Sequence, residues 1–271
     1  MESSGAMTLN WVFYVTAAAF GAVIGSFLNV LIHRGPVFWK LVDDETRGDL
    51  ISPRSYCPAC SEPIRNMHLI PLASYVMLGG KCANCNAPIA PRYPLVELAG
   101  ALSGVAALAL FGLNMEAAGV FFFFMVMIAL AAIDAETGYL PDMLTLPLLV
   151  IGIIANAFDL FNATLGGAVL GVIIGYGAFR LVDFAFLKLR GVEGLGQGDA
   201  KLLAAIGAWF GWPVLPPVVF LAAILALIGV GIASLRGAKI SKETPVPFGP
   251  ALAAAAAFAM IAHGLRLPYF A

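Results

Sequence analysis

The chain has 271 residues, 61% of them hydrophobic and only 11% charged, with a mean hydropathy of +0.92 and a formal net charge of −1. A soluble domain is nearer half apolar and about a quarter charged, so this composition excludes an ordinary soluble enzyme. It implies an all-α polytopic protein whose solvent is the lipid bilayer, and no basic cluster suggests a nucleic-acid partner.

A transmembrane helix needs about 20 apolar residues. About eight stretches qualify: residues 10–32, 94–111, 117–133, 143–158, 164–187, 200–212, 214–235 and 248–265. The sixth is short and is expected to be tilted, broken or only partly spanning. The first lacks the basic n-region and small-residue cleavage site of a removable signal peptide, so it is expected to stay. Gly21 and Gly25 within it have the small-xxx-small spacing of closely packed membrane helices. Phe121-Phe122-Phe123-Phe124 reads as lipid-facing or interfacial bulk.

Positive charge orients the spans. Arg34, Lys40, Arg47, Arg54, Arg65, Lys81 and Arg92 fall between the first and second spans. Arg180, Lys188, Arg190 and Lys201 flank the loop between the fifth and sixth, and Arg236, Lys239 and Lys242 lie between the seventh and eighth. Only Arg266, of the 15 Lys and Arg, falls on the other side. The positive-inside rule then makes the loops around 33–93, 134–142, 188–200 and 236–247 cytoplasmic, with both termini outside.

The loop at 33–93 holds all four cysteines in two pairs, Cys57-Pro58-Ala59-Cys60 and Cys82-Ala83-Asn84-Cys85. Two such knuckles supply four thiolates for a tetrahedral Zn²⁺ site. A reducing compartment disfavours structural disulfides, and a metal staples a segment too small for its own core. A structural zinc is expected. A catalytic zinc would need an open position that four sulfurs do not leave, and free or redox-active thiols are the alternative.

Two aspartates close hydrophobic stretches at one membrane face. Asp134 ends the third span, and Asp199 follows Gly194-Leu195-Gly196-Gln197-Gly198 at the start of the sixth. An ionisable group at membrane depth must be desolvated or paired. Two carboxylates in one site cannot both ionise cheaply, so one keeps its proton while the other acts as base and activates water. Two readings of Asp199 stand side by side, an N-cap for the sixth span and half of a catalytic pair. Asp142, after Pro141, reads as a cap; Glu136 reads as solvated. His33, His68 and His263 are scattered, and no Gly-x-Ser-x-Gly or His-Glu-x-x-His motif competes.

These residues resemble the bacterial type IV prepilin peptidases, membrane aspartyl proteases of the Gly-x-Gly-Asp class. The matching stretches run in order along nearly the whole chain. They are Gly25-Ser26-Phe27-Leu28-Asn29-Val30-Leu31-Ile32-His33-Arg34, the four-cysteine region from Ser55 to Glu97, Asp134 with Leu140-Pro141-Asp142, Gly196-Gln197-Gly198-Asp199-Ala200-Lys201, and Pro247-Phe248-Gly249-Pro250. Pro250-Ala251-Leu252 is also similar to an element near the active site of related intramembrane aspartyl proteases. The departures are Gln197, where an aromatic residue is common, the loose fit of Asn66 to Pro71, and Asp183 in the fifth span.

The resemblance implies three parts: a first transmembrane segment over 1–34, a cytoplasmic zinc-binding four-cysteine domain over 35–93, and a transmembrane aspartyl protease domain over 94–271. It implies Asp134 and Asp199 as the catalytic pair of an enzyme in the bacterial inner membrane that removes the basic leader from prepilins and pseudopilins. It also implies methylation of the new N-terminus with S-adenosylmethionine, with Gly80, Lys81 and Glu97 as candidates for holding that cofactor. The structural alternatives are a turn before the second knuckle for Gly80-Lys81 and pairing with Arg92 for Glu97. The acidic Asp43-Asp44-Glu45 reads as a solvated run that would also attract a basic leader. A peptidase without methylation and an ion-coupled transporter using the same acids are the competing functions. The transporter predicts midplane carboxylates and internal repeats, neither of which is read here.

Overall fold

The computed structural model describes residues 2–44, 47–52, 54–161, 163–190, 196–237 and 247–267, with the backbone alone for 2–10 and 190. Glu45, Gly194, Leu195, Lys239, Lys242 and the Arg190 side chain therefore lie outside what is described. Each of the eight apolar stretches forms a helix, and the described residues contain no strand. The helices are α1 (Glu2–Phe38), α2 (Ala73–Met77), α3 (Arg92–Phe111), α4 (Met115–Thr137), α5 (Asp142–Ala157), α6 (Leu165–Arg190), α7 (Gln197–Phe210), α8 (Leu215–Leu235) and α9 (Gly249–Gly264). Short 3₁₀ turns occupy Asn66–Leu69 and Trp212–Val214.

Five of the described helices are long and apolar enough to cross a membrane: Trp11–Phe38, Arg92–Phe111, Met115–Thr137, Leu165–Leu189 and Trp212–Leu235. The helices α5 and α9 are shorter apolar ones, with 16 residues each. The 14 residues of α7 rise only about 21 Å at 1.5 Å each, well short of a hydrocarbon core of about 30 Å. The sixth stretch is thus short, as its sequence implies. The chain is a multi-pass, all-helical membrane protein.

Contacts divide the chain into two units, Met1–Ala129 and Leu130–Ala271. In the first, α1 and α3 pack along much of their length. A Cβ at Gly21 would collide with the Gly100 carbonyl, and one at Gly25 would lie 2.8 Å from the Val96 carbonyl oxygen. The small-xxx-small pair read in the first span is therefore a contact face, and α3 is its partner. Phe123 and Phe124 are buried, against the expectation of a lipid-facing run. Four successive residues on a helix step around it by about 100° each, so such a run cannot keep one face.

In the second unit α7 packs against α6 and α5, and α9 packs against α8 and α7. From Ala200 to Trp209 every residue of α7 except Lys201 is buried. A helix ending inside an apolar bundle must still satisfy its last carbonyls. Asn156 Nδ2 of α5 does this, donating to the Ala208 and Trp209 carbonyls at 2.8 and 3.0 Å. Gly211, at φ +76°, turns the chain and donates its N–H to the Gly207 carbonyl at 2.8 Å. Trp209 Nε1 returns to α5, donating to the Leu148 carbonyl at 2.9 Å. Asn156→Ala leaves the two α7 carbonyls without these donors and is expected to cost about 1–2 kcal/mol, read as a lower midpoint in denaturation of the purified protein in detergent.

Candidate active site and four-cysteine centre

Asp134 lies in the last turn of α4 and is buried, 5% exposed. Its Oδ2 accepts the backbone N–H of Gly249, the first residue of α9, at 3.0 Å. The first N–H groups of a helix have no partner within it and favour a negative charge. The missing side chain at Gly249 is a requirement of this contact, because a Cβ there would stand 2.6 Å from the same Oδ2. The sequence matched Pro247-Phe248-Gly249-Pro250 as a motif; only the structure assigns it a donor.

Asp199 is the third residue of α7, and Gly196 takes the N-cap position, so the capping alternative for Asp199 does not hold. It lies outside the five spanning segments. Burial first, and then the negative charge of Asp134, push its carboxyl up to about 7. The two carboxylates therefore sit within electrostatic reach of one another. Gly198 permits the approach of the α7 start to the first aspartate motif, since a Cβ there would meet Leu140 Cβ at 2.8 Å.

Asp142 is also not a cap. Pro141 holds the N-cap position of α5, and both Asp142 carboxylate oxygens accept from Lys201 Nζ, at 2.6 and 2.8 Å. Lys201 has a nearby acid and takes it in preference to leaving the α5 end to the carboxylate. This link between the two motifs was missed in the sequence, although both residues lie inside the matched stretches. Asp183, the off-pattern acid of α6, is buried and accepts from Arg180 at 2.8 Å, so it is paired rather than bare.

The four cysteine sulfurs all lie within 4.8 Å of one another, a group that could hold a metal ion. Cys57 Sγ and Cys85 Sγ are 3.8 Å apart. A tetrahedral ion with bonds of about 2.3 Å to sulfur requires edges of about 3.8 Å, so the cluster has the right size. The knuckles repeat one another beyond the cysteines: Cys-x-x-Cys-x-x-Pro-Ile occurs at 57–64 and again at 82–89. Cys57 N–H bonds the Glu62 carbonyl as Cys82 N–H bonds that of Ala87, at 3.0 and 2.8 Å. Ser61 and Asn86 both adopt positive φ, 57° and 58°, and both donate back to the first cysteine of their knuckle. Isolated β-bridges, Tyr56 to Pro63 and Lys81 to Pro88, close both loops. The full repeat carries a sequence signal beyond the cysteine spacing, Pro63-Ile64 against Pro88-Ile89.

Of the residues tied by resemblance to a methyl donor, Gly80 has φ +70° in the turn before the second knuckle and Lys81 forms the β-bridge. Glu97 does not serve Arg92. Its Oε2 accepts the Leu72 N–H at 2.8 Å, while the Arg92 guanidinium stacks 4.8 Å from the Tyr93 ring centre.

The fold is that of a polytopic helical membrane protein, with Asp134 at the end of the spanning helix α4, Asp199 in the first turn of the short α7, and four thiols gathered in one cluster. Residues 19–111 match the bacterial peptidase A24 N-terminal domain, and residues 121–231 match the type IV leader peptidase family. The chain belongs to that family. It is 44% identical over 258 residues to the prepilin leader peptidase/N-methyltransferase of Burkholderia pseudomallei (strain 1026b), covering 89% of this chain and 82% of that one. The protein of the same name from Pseudomonas aeruginosa is 43% identical over 265 residues, covering 92% and 90%. That of Neisseria gonorrhoeae is 40% identical over 252 residues, covering 87% and 86%. No solved structure matches the chain.

The four thiols are unequal. Backbone hydrogen bonds from Cys85 and Asn84 pull Cys82 down to about 6. At Cys85 a backbone hydrogen bond with Ala87 acts downward, but desolvation and the neighbouring sulfurs outweigh it and push the thiol up to about 11. Because the thiolate is the reactive form, iodoacetamide at pH 7 is expected to label Cys82 ahead of Cys85 in chelator-treated protein, read by peptide mass mapping.

Proposed function

We propose that the chain is an aspartic endopeptidase that removes the basic leader from type IV prepilins and pseudopilins and then methylates the new N-terminus. The observation that supports the cleavage reading is that the charge of Asp134, which accepts the Gly249 N–H in the last turn of α4, reaches Asp199 in the first turn of α7. From the distribution of Lys and Arg we place this site at the cytoplasmic face of the inner membrane, where a basic leader is held outside the bilayer.

In this reading the pair works with one proton. The ionised carboxylate takes a proton from water as the oxygen attacks the scissile carbonyl carbon. The protonated carboxyl gives its proton to the carbonyl oxygen. Collapse of the tetrahedral diol breaks the C–N bond as the proton held by the first carboxylate passes to the leaving amine and a diol hydroxyl proton returns to the second carboxylate, restoring the one-proton pair. The products are the leader carboxylate and the free amine of the mature pilin. Gly249 holds Asp134 in place through its N–H. The Lys201–Asp142 pair ties the start of α7 to the start of α5.

Cys57, Cys60, Cys82 and Cys85 are proposed to hold a structural Zn²⁺, whose contribution is to staple a polar segment that lacks a core of its own. S-adenosylmethionine would supply the methyl group. Gly80, Lys81 and Glu97 are proposed to hold it on resemblance alone, since each is already engaged as a turn, a bridge or a partner of Leu72.

Asp134→Asn and Asp199→Asn are each expected to slow leader cleavage by about 10²–10⁴-fold while leaving the helical fold intact. Because the working pair keeps one proton, the parental rate is expected to fall as pH rises through about 7, where Asp199 loses it. Normal cleavage by either variant, measured by the gel shift of a prepilin, would reject the pair. A second check uses the purified protein and its product. One equivalent of zinc by metal analysis, and a processed pilin heavier by one CH₂, support the other two parts; an unmethylated product leaves a peptidase alone.

A further inference from the structure

The region that carries the cysteines exposes apolar side chains that a water-facing loop would not keep. Val76 and Met77 of α2 are 77% and 81% exposed, and Met67 and Ile70 are exposed as well. Contiguous exposed apolar surface on an otherwise polar segment marks a docking face. Its position relative to the bilayer is fixed by a hydrogen bond. Leu72, the residue just before α2, donates its N–H to Glu97 of α3. The spanning helix α3 begins at Arg92 and Tyr93, a stacked basic and aromatic pair of the kind found at the membrane–water boundary. Glu97 lies five residues further in, about 7.5 Å along the axis. The chain around Leu72 is thus held beside the first turns of a membrane helix, not out in solvent.

The backbone is bent to make this contact. Leu72 has φ +60° and ψ −48°, and Ala73 N–H bonds the Pro71 carbonyl across it at 2.6 Å. That is the rare, strained form of the γ-turn, adopted here by a residue with a Cβ. The turn directs the Leu72 N–H to Glu97. Basic groups border the apolar face: Arg54 and Arg65 line a cleft of about 440 Å³ with Pro63, Ile64, Asn66 and Met67.

We propose that residues 64–77 form an interfacial anchor seated in the headgroup layer of an anionic phospholipid leaflet. Ile70, Val76 and Met77 enter the acyl boundary, and Arg54 and Arg65 meet lipid phosphates. An apolar face rimmed by arginines is the surface that anionic lipid recognises. Glu97 is then the positioning residue that sets the anchor's depth. The inference rests on the membrane location of α3 and not on the cleavage reading.

The test uses the full chain reconstituted in phosphatidylcholine vesicles with or without phosphatidylglycerol. Met77→Trp is expected to add a blue-shifted fluorescence component, quenched by brominated acyl chains and shielded from aqueous iodide. Glu62→Trp, at an exposed site in the same region, should instead be quenched by iodide. With phosphatidylglycerol present the lipid quenching of Met77→Trp should rise, and Arg54→Ala with Arg65→Ala should remove that rise. Iodide quenching of Met77→Trp equal to that of Glu62→Trp overturns the anchor, provided the four thiols remain as protected as in the parent. Shielding that develops only on adding a prepilin overturns it too, because a protein then covers the face. Equal quenching in both vesicle types overturns the assignment to anionic lipid.

Discussion

A helix that stops inside an apolar bundle leaves carbonyls that no water can reach, and the second unit is organised around meeting that demand. The 14-residue α7 can end early because Asn156 supplies donors to its last carbonyls and Gly211 turns the chain away. At about 21 Å α7 is shorter than the hydrocarbon core, and its first turn lies at the end opposite those carbonyls. Asp199 occupies that turn. The 16-residue α9 begins at Asp134, which accepts its first N–H. The start of a short helix thus aims its positive end at a carboxylate. A bundle of full-length spans would have no reason to do so.

The four-cysteine region meets a different shortage. Between Phe38 and Arg92 the described chain has only a five-residue α-helix, a 3₁₀ turn and two isolated bridges. Such a segment buries little apolar surface, and Cys57 is the only one of the four cysteines that is buried. Its order comes instead from repetition. The same eight-residue loop is built twice, with the same backbone bonds and the same positive-φ residue after the second cysteine. Two like loops bring four sulfurs within 4.8 Å of one another without a core to position them.

The membrane helices were legible because hydrophobicity over long windows is a strong signal and the bilayer forbids most alternatives. The carboxylates were legible as costly residues, and charge topology gave the expectation that they share a face. What pairs with them was not. Gly249 contributes a backbone donor, and a backbone atom leaves no trace in residue identity except the absence of a side chain. Asp142 looked like a cap because capping is local and Lys201, 59 residues away, is not. Glu97 was read against Arg92 for the same reason, while its partner is the N–H of a Leu at positive φ. Phe123 and Phe124 were misjudged by treating a run of aromatics as a single face.

Which contact places Asp199 can be decided by magnitude. The Lys201–Asp142 pair is short and bidentate, but its side chains are 29% and 51% exposed. Exposed pairs contribute about 0–1 kcal/mol. Against this stand the buried contacts of α7. Gly171 and Gly207 bring α6 and α7 so close that a Cβ on either would strike the other's carbonyl, and Gly175 lies against Leu203 in the same way. Leu202, Leu203 and Ile206 are essentially inaccessible, and between helices solvated by lipid it is this close van der Waals packing, repeated along the helix, that drives association. The register of α7, and with it the height of Asp199, is therefore set by packing along the helix. The ion pair adds a rotational constraint at the end where packing thins out, two residues beyond Asp199.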